Sequence, residues 1–546
     1  MSTISDYKLY KQYEPAYANW RQKRSAIEAK HLEYLQQNPD AINQNDIKRG
    51  KSLLRAIDIM DEYSQKYAQN MEMANSIATE TIMTIIMVCG IALGYALGKL
   101  PSIKRFLNKF IKAGKNEALV NSIFTTAIGG TLGAIAALPI FSKTAKAEIE
   151  ASRKGRFEAM QKDLINPNVF AVLNDEQTAQ AEELSKKIQL KEDTQSIFSK
   201  LSGKMKTTKN VLWNSENYKK QRANFENMLK NKAENAKKPI SAKEAEKAKK
   251  DQQLLTKLVD KIDIASQDYA ENAELSANIL TSATLAGGFL VSLIVNQITK
   301  LFKLKSAKKI NAITNIIAVI TASTAGIIGS SVAKEASRVG RYKAKKELLN
   351  NPANFVYVDD SIIETRKDTN VNSDDKLSWF KFLKIVYKDT KEYNKYKKTQ
   401  AKNDEKFYKA VEKLELSPEQ IKDAKRLQEN TFMTFNKIDQ KSQKFSENIE
   451  ALGLTAEQPI SLISSLLGIA FGLPVLAKPA KTKLEQAANF SKYLGIILVS
   501  TLPVMLLNYY VTKEQKKASR VADMMAINEM QDYKLFTNTK MVKDVV

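Results

Sequence analysis

The chain has 546 residues, long enough for several cores, with 85 Lys and Arg against 60 Asp and Glu and a formal charge of +25. One cysteine, Cys89, excludes an intrachain disulfide, and one histidine, His31, leaves little for acid–base or metal chemistry. A basic balance suits anionic lipid headgroups or nucleic acid, but zinc-finger spacing and an aromatic RNA-binding signature are missing, so a membrane surface is the expected partner and nucleic acid is not.

Residues 1–80 read as helix, rich in Ala, Leu, Glu, Lys and Gln with apolar positions at helical spacing. His31, alone in a polar stretch, is expected at the surface rather than as a ligand. No apolar core occurs in the first 30 residues, so no cleavable signal is expected. Asn38-Pro39-Asp40 predicts a turn between two helices, because proline disfavours helix before it and suits a first turn. Lys238-Pro239 and Ser417-Pro418 stand at nearly matching places further on, so each unit is expected to open with an antiparallel helical pair.

The second helix carries the clearest repeat. SQKYAQNME at 64–72 aligns without gaps to SQDYAENAE at 266–274 and SQKFSENIE at 442–450. An aspartate precedes each serine by three, at Asp61, Asp263 and Asp439, and the Asp, Gln and Glu positions fall within about 40° on a helix, a polar stripe. Arg49-Gly50-Lys51-Ser52 ends like a phosphate loop, but Asn45 replaces the first glycine and no strand precedes it, which argues against one.

Charge-free apolar runs follow each signature in pairs, at 81–141, 279–333 and 460–512. About 20 apolar residues in a helix cross a bilayer, so six transmembrane helices in three hairpins are expected. Gly90, Gly94 and Gly98 recur every four positions, as do Ser464, Gly468 and Gly472, with Gly288 and Ser292 in the second hairpin. Small residues at that spacing let helices approach closely in lipid. The hairpin loops are short and basic: Lys104, Arg105, Lys109 and Lys112; then Lys303, Lys305, Lys308 and Lys309; then Lys481 and Lys483. The first reads as a helix lying among anionic headgroups.

After each hairpin helix resumes with a second signature, EASRKGR at 150–156 and EASRVGR at 335–341, running on to Asn166-Pro167 with Phe170 and Asn351-Pro352 with Phe355. The third copy keeps Ala518-Ser519-Arg520, then puts Ala522-Asp523 where the others have Gly-Arg, and lacks Asn-Pro, as expected of a terminal repeat facing no following neighbour. Both membrane helices of a hairpin return the chain to one side, which predicts ion pairs of Glu72 with Arg153, Glu274 with Arg338 and Glu450 with Arg520. Residues 229–251 read as an exposed helical tip, and 359–376 as a solvated linker.

The expected architecture is an all-α integral membrane protein of three tandem repeats, 1–198, 199–382 and 383–546, each a helical pair, a transmembrane hairpin and a following helix. Basic residues are nearly balanced, 15 in the hairpin loops against 16 in the outer flanks, so the positive-inside rule does not choose an orientation. Long helical segments without a signal peptide suggest a plasma or inner membrane with those segments in the cytoplasm. No catalytic constellation, metal-ligand set or cofactor motif is present, so no enzyme is expected. The expected function is a non-enzymatic membrane scaffold or interaction protein, with lipid and a protein partner on the exposed helices. The alternative is a channel, transporter or pore-forming protein of three two-helix repeats; the runs carry no charge to mark an ion route.

Overall fold

The computed structural model describes residues 26–68, 150–190, 215–234, 246–266, 335–356 and 379–439, with scattered positions outside these stretches. The described residues are helical and contain no strand, and none of their helices is long and apolar enough to cross a membrane. Apart from Tyr510, the six apolar runs lie outside the described residues. So do all eight small residues of the expected packing faces and every loop cation except Arg105, an exposed helical residue.

The described helices are α1 (26–37), α2 (44–68), α3 (150–161), α4 (Asp175–Lys187), α5 (Ser215–Glu234), α6 (246–266), α7 (335–350), α8 (Trp379–Thr399), α9 (Ala401–Val411) and α10 (418–439). Their starts are set by local chemistry. Ser417 and Gln420 form a reciprocal capping box ahead of α10, with Pro418 in the first turn, and Ser241 with Glu244 does the same ahead of α6. Asn174 and Gln177 cap α4 in that way too. Asn38-Pro39-Asp40 is the expected break, a 3-10 turn over Pro39–Ala41 between α1 and α2.

Three helices that lead into the first signature and carry its aspartates Asp61, Asp263 and Asp439, α2, α6 and α10, form the centre. Their apolar positions repeat at i, i+3, i+4 and i+7: Leu53, Ala56, Ile57 and Met60 on α2, and Leu255, Leu258, Val259 and Ile262 on α6. The matching positions of α10 are Thr431, Thr434, Phe435 and Ile438, and all twelve side chains are buried. Arg49 near the start of α2 reaches Asp251 of α6 and Asp423 of α10, and twelve residues on, Arg341 links Asp61 of α2 to Asp263 of α6. α2 and α6 therefore run parallel and in register over about 18 Å, with α10 alongside. Each fully buried Leu or Ile removes enough apolar surface from water to contribute about 1.5–3 kcal/mol.

The outer helices interlock the copies. Arg222 on α5 of the second copy donates to the Asn436 side chain and carbonyl on α10 of the third, both at 2.6 Å. Tyr408 on α9 of the third copy donates to Asp58 on α2 of the first, at 3.1 Å. The outer helices of one copy thus contact the central helix of another.

The first and third copies also meet, which corrects the expectation that the last repeat faces no neighbour. Asn168 donates to the carbonyls of Glu412 and Leu414 at 3.3 Å, and Gln428 donates to those of Leu164 and Ile165 at 2.6 and 3.0 Å. The Asn-Pro motif explains these joints. Asn166 and Asn351 accept a backbone N–H two residues on, Pro167 and Pro352 start 3-10 turns, and the turns insert Phe170 and Phe355 with no exposed surface. Phe170 stacks edge-on against Phe432 of α10, and Phe355 packs on Gly50 of α2 so closely that a Cβ there would come within 2.3 Å of its ring. The phosphate-loop resemblance at 49–52 is therefore a helical segment whose arginine is ion-paired and whose glycine admits a phenylalanine.

Candidate functional site

In the first and second copies the two repeat signatures meet at the end of the central bundle from which the chain runs on toward the apolar segments. In the first copy the hydroxyls of Ser64 and Ser152 hydrogen-bond, and in the second Ser266 and Ser337 do so at 2.6 Å. Gly155 and Gly340 make this contact possible: a Cβ on either would stand 2.4 Å from a backbone carbonyl oxygen, of Tyr63 or Ala265. Such a distance requires the backbones to separate, so the glycine in each signature sets how closely α3 lies on α2 and α7 on α6.

The residue after each glycine turns toward the bundle axis. Arg341 of the second copy donates to Asp61 of the first at 2.9 Å and to Asp263 of its own copy at 2.6 Å. Arg156 of the first copy grips both carboxylate oxygens of Asp439 of the third, Nε to Oδ2 at 3.1 Å and a terminal nitrogen to Oδ1. Each of these two arginines thus reaches the aspartate of the preceding copy, counted cyclically. Lys345, one turn beyond Arg341, adds contacts to Asp58 at 2.5 Å and Asp61 at 2.8 Å.

Burial alone would raise the Asp61 carboxyl, but Arg341, Lys345 and Arg156 outweigh it and hold it at about 2. Asp439 is likewise held below the usual carboxylate range against its burial, chiefly by Arg156 and Arg222. The third position breaks the pattern. Asp523 occupies the place of Arg156 and Arg341, and burial together with the charge of Asp263 pushes its carboxyl well above the ordinary range, although Arg153 and Arg156 oppose this. Its Oδ1 is buried with no hydrogen-bond partner among the described residues.

A second cluster lies at the opposite end of the bundle. Arg49 pairs with Asp251 and with Asp423 at 2.7 Å, Lys247 with Asp423 at 2.8 Å, and Arg426 with Asp423 at 2.9 Å and Asp251 at 3.4 Å. Charges thus bracket the apolar layers at both ends. Breaking one such buried pair typically costs more than forming it gains, so these clusters specify which copies adjoin more than they add stability.

No family model, curated protein or solved structure matches the chain.

The residues singled out from the sequence are placed unevenly. Arg153 is buried, and desolvation pulls its guanidinium down to about 10. Arg338 is also buried and bonds Glu335 at 2.8 Å. Their expected partners Glu72 and Glu274, and both members of the third pair, Glu450 and Arg520, lie outside the described residues. The ring is built instead on the three aspartates of the polar stripe and on the arginine three positions after Arg153 and Arg338. That arginine stands in the quoted motif, and its recurrence next to a glycine was the available signal. His31, expected at the surface, is buried at 8% exposure, because α1 turns that side toward the bundle. Among the described residues no group of three or more His, Cys, Asp or Glu side chains is placed to hold a metal ion.

Proposed function

We propose that this chain is a non-enzymatic membrane scaffold, a closed helical platform that fixes three hydrophobic hairpins in a triangular array. The observation that carries it is the cyclic pairing of Arg341 with Asp61 and of Arg156 with Asp439, which locks each copy to another at the bundle end from which the chain runs toward the hairpins. Under this reading, residues 81–141, 279–333 and 460–512 enter the bilayer as six helices packed through their glycine faces. The basic loops, Lys104 and its equivalents, meet anionic headgroups, and the long helical segments share the cytoplasmic face. Exposed surfaces of α4, α5 and α8 are then available to a protein partner.

The axis favours a scaffold over a conducting path. Apolar layers from Leu53 to Met60 fill it, and ion pairs bracket them at both ends. A route for ions or solutes would have to run elsewhere.

Two assays on the full chain test the proposal. The protein is expected to remain with the membrane after alkaline carbonate extraction, and proteoliposomes containing it are expected to hold ion and small-solute gradients as well as empty vesicles do. Release by carbonate would remove the hairpin anchor. Rapid dissipation of a gradient would replace the scaffold with a pore.

A further inference from the structure

Arg55 differs from the other arginines of the central bundle. Arg49, Arg156 and Arg341 are each paired with a carboxylate. Arg55, on the same helix as Arg49 and only 8% exposed, has none among the described residues: it donates one hydrogen bond there, to the carbonyl of Val169 at 3.1 Å, and its guanidinium lies 5.6 Å from the centre of the Phe407 ring. A guanidinium carries five N–H donors, so most of its donor capacity is unused among the described residues. Burial pulls it down to about 10, the opposite of what a bound carboxylate or phosphate would do.

This arginine lines a cavity of about 870 Å³ between α2, α7, α8 and α9, within the usual size range of small-molecule sites. Lys48 and Lys51 stand on the same face of α2, at i−7 and i−4 from Arg55, and Lys402 enters from α9. Lys51 and Lys402 are exposed and form no ion pair among the described residues, while Lys48 meets only the exposed Asp175. Carboxylates that share the cavity are engaged: Asp58 and Asp61 with Lys345, Asp404 with Tyr396 and Glu405 with Lys409; Glu62 is exposed.

We propose that this cavity binds a phosphate-bearing ligand, with Arg55 as its buried anchor and Lys51 and Lys402 completing the charge at the mouth. A planar guanidinium matches two phosphate oxygens at once, and the mobile lysines neutralise the remaining charge. Phe407 and Tyr408 supply an aromatic wall for whatever carries the phosphate. The phosphate has two possible sources, a soluble compound or a lipid headgroup, and the test separates them.

Full-length protein in detergent is titrated calorimetrically with inorganic pyrophosphate and, separately, with dihexanoyl phosphatidic acid. Saturable binding of at least one probe is expected at one site per chain. Arg55→Met should weaken it more than tenfold, and the exposed double variant Lys51→Gln/Lys402→Gln should weaken it several-fold with the melting temperature unchanged. Phosphatidic acid binding more than tenfold tighter than pyrophosphate assigns the site to a lipid headgroup; the reverse assigns it to a soluble ligand. Absence of saturable binding by both probes overturns the proposal. So does affinity unchanged in the double variant, a result that stays readable even if Arg55→Met fails to fold.

Discussion

Arg156→Met lowers the stability of the folded chain by about 3–5 kcal/mol, the cost of leaving one member of a buried ion pair behind. The Asp439 side chain is 3% exposed, and Arg156 engages both of its oxygens; the other cation paired with it among the described residues is Arg222, at 4.0 Å. Methionine has nearly the length of the arginine stem, so lost packing contributes little. Asp439→Leu added to Arg156→Met should recover most of the loss, because a buried pair replaced by apolar side chains is often close to neutral. The measurement is thermal melting followed by circular dichroism on the native chain, the single variant and the double variant. The native contribution also has a definite pH dependence. A carboxyl held below its ordinary value stabilises the fold above about pH 3.8 and ceases to do so as pH falls through its lowered value, so Asp439 contributes in full at neutral pH.

Asp523→Asn acts in the opposite direction and stabilises the chain at pH 7, by about 1.4 kcal/mol for each pH unit over which the unfolded carboxyl is ionised and the folded one is not. Asp523 stands where the other copies place arginine, near the carboxylates of Asp263 and Asp439 and the guanidinia of Arg153 and Arg156. Its folded carboxyl is raised above its unfolded value, so its contribution favours folding below about pH 3.8 and is progressively lost as pH rises from there toward the raised value. Asparagine does not titrate. The melting temperatures of the variant and the native chain should therefore converge below about pH 3.8 and separate with rising pH, the variant higher. A constant difference across pH would assign the effect to shape instead of charge.

The helical character and the repeat were legible in the sequence because both are local. Periodic apolar positions and ungapped signatures need no knowledge of neighbours, and Asp61, Asp263 and Asp439 were recognisable as one stripe. Their partners were not, since Arg156 lies on the far side of a long apolar segment from its own copy's aspartate and pairs with a different copy. Expecting pairs within one copy led to Arg153 and Arg338, one helical turn away from the arginines that form the ring. Asp523 was visible as a departure from the motif, but a chain viewed as a line gives the last copy one neighbour, whereas a ring gives it two. Arg55 left no signal at all: the matching positions hold Lys257 and Met433, so no repeat marks it. The expected membrane hairpins rest on composition and length alone, and their segments lie almost wholly outside the described residues.

Closure of the ring between the first and third copies is tested most directly by cross-linking Gln177 of α4 to Gln420 of α10. Their side-chain amides hydrogen-bond at 2.8 Å although 243 residues separate them. In a Cys89→Ser background, Gln177→Cys/Gln420→Cys should react with a short bismaleimide within one chain, giving a faster-migrating species in a denaturing gel whose yield does not change on dilution. A cross-link that forms only between chains, or none at all while both thiols remain reactive to a monofunctional maleimide, would contradict the closed ring.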